Sequence, residues 1–383
     1  MNITVEEITL FRVALPLLRE FETSSHKKSF IEHVLVRAID REGFEGWGEC
    51  ASPSDPYFCY ESTEICWLIL ENYLVPSLLG ATWDTPQAAM SNSHVNGYPF
   101  AHAAMEMACW DLYSQHRGQS LAAVLGGETM DVEAGVSLGI EASLDALIDV
   151  VASHVEDGYR RVKLKIAPGW ELEPCRAVRK TFPDVAVQVD ANGAFEDSER
   201  SLDVFRRLDD LQLLMIEQPF HQDNLVAHAA LQAQLDTPLC LNESITSLGA
   251  ARSALTLGAC RVINIKVSRL GGLGNARDVH DFCRELNVPV WCGGMHEFGI
   301  GRAANLALAS LPGFLYPSDL SGSKKYYAQD LVAPEIVARE GRVLVPRMKP
   351  GLGVDVLVER VEEHAVKTAK HRAESPKRGE GTG

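Results

Sequence analysis

Apolar and polar residues alternate over the first fifty positions, in ITLFRVALP, IEHVLVRAID and GWGEC, the period-two signature of strands with one buried face. The polar stretch REFETSSHKKS between the first two reads as their connecting loop. From about position 61 to 118 the period lengthens to that of helices, most plainly in FAHAAMEMACWDLYSQHRG, which Gly118 ends. Beyond Gly126-Gly127 eight short apolar runs alternate with helical stretches: VEAGVSLGI, YRRVKLKI, VAVQVDA, LQLLMIEQP, PLCLNES, RVINIKV, VPVWCGG and FLYPSD. Strand alternating with helix predicts a parallel sheet, and eight repeats predict closure into an α/β barrel. The expected organisation is an α+β unit over 1–127, a barrel over 128–330, a C-terminal segment over 331–373 free to return to the first unit, and a disordered Gly-rich tail over 374–383.

One run breaks the apolar pattern. In Val-Lys-Leu-Lys-Ile the side chains of Lys163 and Lys165 share a face, because residues two apart on a strand point the same way. Such lysines ordinarily face water, and the ends of the other runs argue against that here. Lys165, Asp190, Glu217, Asn242 and Lys266 each stand at or near the end of a successive run, 24 to 27 residues apart, about the length of one strand-helix unit. In a parallel barrel the carboxyl ends of all strands open on one face, where active sites lie, so five separated polar groups converge on one cup. Taken singly, each has an ordinary reading as a turn, cap or solvated residue; their common register sets them apart. Asp190 and Glu217 offer hard oxygens suited to Mg²⁺, or to Mn²⁺ or another divalent ion in its place, and Asn242 adds a neutral amide oxygen. A lysine beside such a site, its pKa lowered by burial and cationic neighbours, is suited to removing a proton next to a carboxylate.

Composition narrows the partners. The chain has 383 residues, more than one compact core ordinarily holds, and 46% hydrophobic with 23% charged residues is the composition of a soluble globular protein. A formal net charge of -16 argues against nucleic acid and anionic membrane as partners, and leaves a small anion held in a local cationic pocket. The nine cysteines are scattered singly, with Cys109, Cys240, Cys260 and Cys292 inside apolar runs, which predicts reduced core thiols and a cytoplasmic protein. The amino terminus alternates like a strand and does not read as a signal peptide, and no window approaches a membrane span.

The segments K-L-K, D-A-N, I-E-Q-P, N-E-S and N-I-K stand in the order and spacing of the muconate-lactonising subgroup of the enolase superfamily, which the chain resembles over nearly its whole length. GVSLGI, YRRVKLKIAPGWELEPCRAVR, VINIKVSRLGG, VPVWCGGMHEFGIGRAANLALASLP and PGLGV resemble in particular the branch of o-succinylbenzoate synthase and N-acylamino acid racemase. The resemblance implies a (β/α)7β TIM-type barrel with an α+β capping domain. It also implies roles: Lys165 and Lys266 as acid/base groups on opposite faces of the substrate, and Asp190, Glu217 and the Asn242 position as Mg²⁺ ligands. Lys163 would stay protonated near the substrate carboxylate, and Ser137, Asn192, Gly294 and Met295 would line the cup. Arg269 matches an arginine associated with racemase activity in this branch. The implied enzyme is a metal-dependent N-acylamino acid (N-succinylamino acid) racemase that moves a proton through an enediolate, with o-succinylbenzoate synthesis as a companion activity. Its partner would be a small-molecule carboxylate, and its assembly a homo-oligomer. A dipeptide epimerase or cycloisomerase, or a catalytically weakened acyl-amino-acid-binding relative, stands as the alternative. A Schiff-base aldolase also fits an inward lysine, but that chemistry does not call for paired carboxylates on neighbouring strands.

Departures from the family pattern cluster around the site. Asn242 replaces an aspartate, so two carboxylates formally balance a divalent ion where three would exceed it, and weaker ion binding is expected. Glu243, next along the strand, is expected to face away from the cup. Ser25 and His26 replace an aromatic residue and a glycine, His296 and Phe298 an aliphatic and a small residue, and Lys325 a common arginine. These changes are expected to alter the end of the pocket remote from the reacting carbon, with an edge-of-core imidazole as the other reading of His296.

Overall fold

The computed structural model describes residues 1–22 and 26–373; Ser25 of the capping loop and the expected tail at 374–383 lie outside the described residues. The strand Ile3–Glu22 lies between Lys27–Asp40 on one side and Ala365–Arg372 on the other, and Glu45–Cys50 extends the antiparallel sheet. The C-terminal segment thus ends in the sheet that the amino terminus begins. The helix Pro99–His116 packs directly on Glu45–Cys50, and Gly48 makes this approach possible, since a Cβ there would stand 1.9 Å from the Ala104 carbonyl oxygen. Trp67, Phe100, Met105 and Leu112 fill the core of this unit.

The polar stretch read as a loop from Arg19 to Ser29 is shorter than expected. Strand pairing continues through Phe21↔Lys28 and Glu22↔Lys27. The hairpin overhangs the barrel and finds partners there: Leu18 N–H donates to the Tyr326 carbonyl at 2.8 Å, and Ile140 N–H to the Glu22 carbonyl at 3.2 Å. Partners outside the hairpin let polar residues stay in strand geometry.

Seven parallel strands follow in chain order around the second unit: Val136–Leu138, Arg161–Lys165, Ala186–Asp190, Met215–Glu217, Leu239–Leu241, Val262–Ile265 and Val290–Cys292. Residues 314–319 close the ring. Leu315 and Asp319 N–H groups donate to Val290 and Cys292 carbonyls at 3.2 and 2.9 Å on one side, and Gly135 N–H donates to Ser318 at 2.8 Å on the other. This is a (β/α)7β arrangement whose eighth strand is irregular. The intervening helices start where the sequence supplies caps: Ser143, Ser198, Asn224 and Ser247 each accept the backbone N–H three residues on. Along Arg161–Lys165 every residue is buried, because Val162 and Leu164 meet the helices while Arg161, Lys163 and Lys165 fill the ring's interior. All nine cysteines are free thiols, and no helix among the described residues is long and apolar enough to cross a membrane.

Candidate active site

At the carboxyl end of the strands lies a cavity of about 330 Å³, roofed by the first unit. Register sets its floor: Lys165 pairs laterally with Asp190, and Asp190 with Glu217. Lys165 Nζ donates to Asp190 Oδ2 and to Asn192 Oδ1, both at 2.6 Å. Lys163 sits among three carboxylates, at 2.6 Å from Asp319 Oδ2, 3.1 Å from Glu217 Oε2 and 3.3 Å from Asp190 Oδ2. Burial alone would lower the Lys163 ammonium, but Asp319, Glu217 and Asp190 outweigh it and hold it well above its ordinary range.

Lys266 directly follows the sixth strand and Lys165 ends the second, so in a ring of eight they stand across from one another. Both line the cavity, yet their surroundings differ. The nearest partners of Lys266 Nζ are the Met295 sulfur at 3.5 Å and the Phe58 ring, 5.4 Å to its centroid. No carboxylate among the described residues forms an ion pair with it. Burial, then the neighbouring Lys163, push the Lys266 amine down to about 8.

Both carboxylates in the floor are fully buried. Burial would raise the Asp190 carboxyl, but Lys165 and Lys163 prevail and hold it well below the usual range. Glu217 is raised, by burial first and by Asp190 beside it, against the pull of the lysines. Its Oε1 accepts from Asn264 Nδ2 at 2.7 Å, and its Oε2 from Gln188 Nε2 at 3.0 Å. Asn242 follows the fifth strand, in which Cys240 is the lateral partner of Glu217, so it stands one layer nearer the mouth than Glu217. Its side chain is fully buried, and neither amide atom has a hydrogen-bond partner. An unpartnered buried carboxamide is costly, and one directly after the strand next to that of Glu217 fits an oxygen ligand for a hard divalent ion. Among the described residues no three His, Cys, Asp or Glu side chains cluster to hold a metal.

Several residues lie elsewhere than expected. Glu243 does not face away: it lines the cavity, and its Oε1 accepts from Asn192 Nδ2 at 2.8 Å. The regular strand ends at Leu241, so strict alternation no longer governs position 243. Phe298 lies behind the cavity, buried against His33 and Tyr327, with its N–H on Glu49. Lys325 donates to the Ser137 carbonyl at 2.7 Å and borders an adjoining groove. Arg269 reaches the cavity only through Phe58, on whose ring it packs at 4.5 Å. Ser137, Asn192, Gly294 and Met295 line the wall, and so does His296, held between Phe21 and Tyr326 at 4.6 and 5.0 Å. Burial, with Lys28 and Lys325 nearby, keeps its imidazole well below the ordinary range and therefore neutral.

Asp319, Lys28, Tyr57 and Phe58 were not singled out by sequence, yet all line the cavity. Asp319 carried a usable signal, since it ends the eighth apolar run just as the other site residues end theirs. Arg161 holds it from behind at 2.6 Å, and with Lys163 lowers its carboxyl despite burial.

Residues 6–126 match the family profile described as mandelate racemase / muconate lactonizing enzyme, N-terminal domain, and residues 146–361 the profile described as enolase C-terminal domain-like. An o-succinylbenzoate synthase from Geobacillus stearothermophilus is 42% identical over 95% of this chain and 96% of its own. An N-succinylamino acid racemase from Amycolatopsis is 43% identical over 95% and 97%. The crystal structure of an enolase-superfamily member from Listeria innocua superposes with a TM-score of 0.92 at 34% identity, covering 97% of this chain and 99% of that one.

Proposed function

The chain belongs to the mandelate racemase / muconate lactonizing enzyme family of the enolase superfamily, and from that premise we propose that it is a divalent-metal-dependent N-acylamino acid racemase, acting on N-succinylamino acids by proton transfer between two lysines. One arrangement carries the reading: Lys165 and Lys266 enter the same cavity from the second and sixth strands, on opposite sides of any molecule lying between them. Lys266, with its pKa near 8 and no ion-pair partner, takes the α-proton from one face. Lys165, ion-paired with Asp190, delivers a proton to the other face of the planar enediolate. For the opposite enantiomer the two exchange roles. Asp190, Glu217 and the Asn242 carboxamide would hold the ion, which when bound supplies positive charge to the reacting carboxylate. Phe58 lies under the Lys266 ammonium, 5.4 Å from it to the ring centroid, and lines the cavity with Tyr57.

A second reaction, dehydration to o-succinylbenzoate, suits the same cup. There Lys165 begins the elimination and Lys266 acts as a cation. Relatives of nearly equal identity carry one name or the other. We also assign the protein to the reducing cytoplasm, on the strength of its nine free thiols.

The test is α-proton exchange of N-succinyl- and N-acetyl-amino acids in D₂O, with and without Mg²⁺. Exchange that requires the ion and falls by roughly a thousandfold or more in Lys165→Ala upholds the reading. Ion-independent exchange, or exchange unaffected in Lys165→Ala, sinks it. Exchange of the enantiomer that gives its proton to Lys266 should rise as pH passes through about 8.

A further inference from the structure

The two adjacent lysines of the roof hairpin have opposite fates. Lys27 points outward and pairs with Glu20 at 2.7 Å, as an exposed strand lysine ordinarily does. Lys28, one residue on and therefore on the other face, points into the cavity. It forms no ion pair among the described residues, and its recorded neighbour is the Tyr57 ring, 5.8 Å to the centroid. Burial, then the like charges of Lys165 and Lys266, push its amine down to about 8. Phe21, its lateral partner in the hairpin, contacts the His296 ring, so Lys28, Phe21 and His296 form one patch of the cavity wall. His296 Nδ1 is buried there without a hydrogen-bond partner.

A half-buried ammonium with no counter-ion and an unpartnered imidazole nitrogen are two independent groups left unsatisfied at one place. The floor already supplies the cations for the reacting carboxylate. We propose that Lys28, with His296 beside it, is a specificity-determining residue that binds a second carboxylate of the substrate, one remote from the reacting carbon. The inference rests on the racemase reading and extends it to a named roof residue. The second carboxylate can come from a dicarboxylic acyl group or from an acidic amino-acid side chain; both present the same charge to Lys28. Charge-assisted hydrogen bonds to such a group are formed before and during proton transfer alike, so Lys28 acts on KM more than on kcat.

The test measures kcat and KM for wild type, Lys28→Gln and Lys28→Arg on N-succinyl-phenylalanine, N-acetyl-phenylalanine and N-acetyl-glutamate. Wild type is expected to prefer one doubly charged substrate over N-acetyl-phenylalanine by roughly ten- to a hundredfold in kcat/KM, chiefly through KM. Lys28→Gln should bring that ratio to within about threefold of unity, while Lys28→Arg keeps most of it. Collapse on the succinyl arm supports the proposal and assigns the carboxylate to the acyl group; collapse on the glutamate arm supports it and assigns the carboxylate to the side chain. A ratio unchanged in Lys28→Gln, or falling equally in both variants, overturns it. If wild type exchanges no α-proton on any of the three, the racemase reading fails, and calorimetry with N-succinylglycine against its terminal amide still decides on Lys28. Preferential binding of the acid that Lys28→Gln abolishes upholds the subsite, and equal binding removes it.

Discussion

At the seam between the first sheet and the barrel, buried carboxylates are tied mainly to backbone N–H groups, with His33 beside Glu49, whereas in the cup they are held mainly by ammonium and amide side chains. Glu49 accepts the N–H groups of Phe298 and Gly301 at 2.8 and 2.7 Å, at the start of the helix Gly299–Ala309. Glu106 accepts those of Leu273 and Gly274 at 2.5 and 3.1 Å, at the start of Leu273–Glu285. Asp111 ties Trp47 to Leu352, both at 2.9 Å. Backbone donors at helix starts are fixed, and their dipole favours the anion, so the seam is a set of permanent fastenings. In the cup Asp190, Glu217 and Asp319 are held mainly by side chains that can swing, give up a proton or be displaced by a ligand, with one backbone donor, Asn192 N–H, on Asp190 at 3.0 Å. Unpartnered buried atoms occur in both regions: both amide atoms of Asn242, Asn264 Oδ1 and Glu243 Oε2 in or beside the cup, and Trp110 Nε1 and Ser114 Oγ on the helix that carries Asp111. The difference separates groups that hold the fold from groups left ready to react.

The sharpest way to break the contrast is to take away the cup's central cation. Lys163→Met leaves three buried carboxylates facing one another without the ammonium that lies within 3.3 Å of each. Removing one partner from buried ion pairs costs about 3–5 kcal/mol, and urea denaturation without added metal should show a loss of that size. Adding Asp319→Asn should recover part of it, because one uncompensated charge goes with the carboxylate. A loss under about 1 kcal/mol would mean that the cage does not depend on its ammonium.

The buried carboxyls of the seam should make stability respond to pH between 5 and 8. Burial raises the Glu106 carboxyl from its ordinary 4.5 to about 7, and that of Asp111 from 3.8 to about 6. The folded protein therefore keeps protons that the unfolded chain releases. The stabilisation is fully present below the unfolded values and is lost as pH rises through about 6 for Asp111 and about 7 for Glu106. For Glu106 it amounts to at most about 3 kcal/mol. In Glu106→Gln, which is neutral at every pH, that part of the decline between pH 5 and 8 should disappear. Identical slopes for the two proteins would count against the carboxyl as its source.

The barrel and the floor of its cup were legible because both rest on periodicity: apolar runs recur with the strand-helix repeat, and Lys165, Asp190, Glu217 and Lys266 ride at their ends. What escaped lay where regular structure stops. Glu243 lies past the last regular residue of its strand, where alternation no longer assigns a face. Lys28 looked like a loop residue because a polar hairpin shows no period, and only the barrel beneath makes it a strand with an inner face. Sequence left His296 open between the distal pocket and the core edge; with φ at 64° it stands in a turn that strand alternation does not describe, and it lines the cavity.

The smallest change carries the closest comparison of the two carboxylate regimes. Asn242→Asp adds a third buried carboxylate to a floor whose donors are already engaged. In metal-free protein the new charge repels Asp190 and Glu217, and the unfolding free energy should fall by about 1–2 kcal/mol. Mg²⁺ should reverse the order. A charge-assisted contact replaces a dipolar one, so the dissociation constant read by calorimetry should tighten by about tenfold, close to 1.4 kcal/mol. Saturating ion then stabilises the variant more than the wild type, because whatever binds the folded state alone raises stability by mass action. The two denaturation midpoints should therefore converge or cross as Mg²⁺ is added. Midpoints that stay parallel at every Mg²⁺ concentration, together with equal dissociation constants, would mean that position 242 does not touch the ion, and that the orphaned amide belongs with the structural groups of the seam.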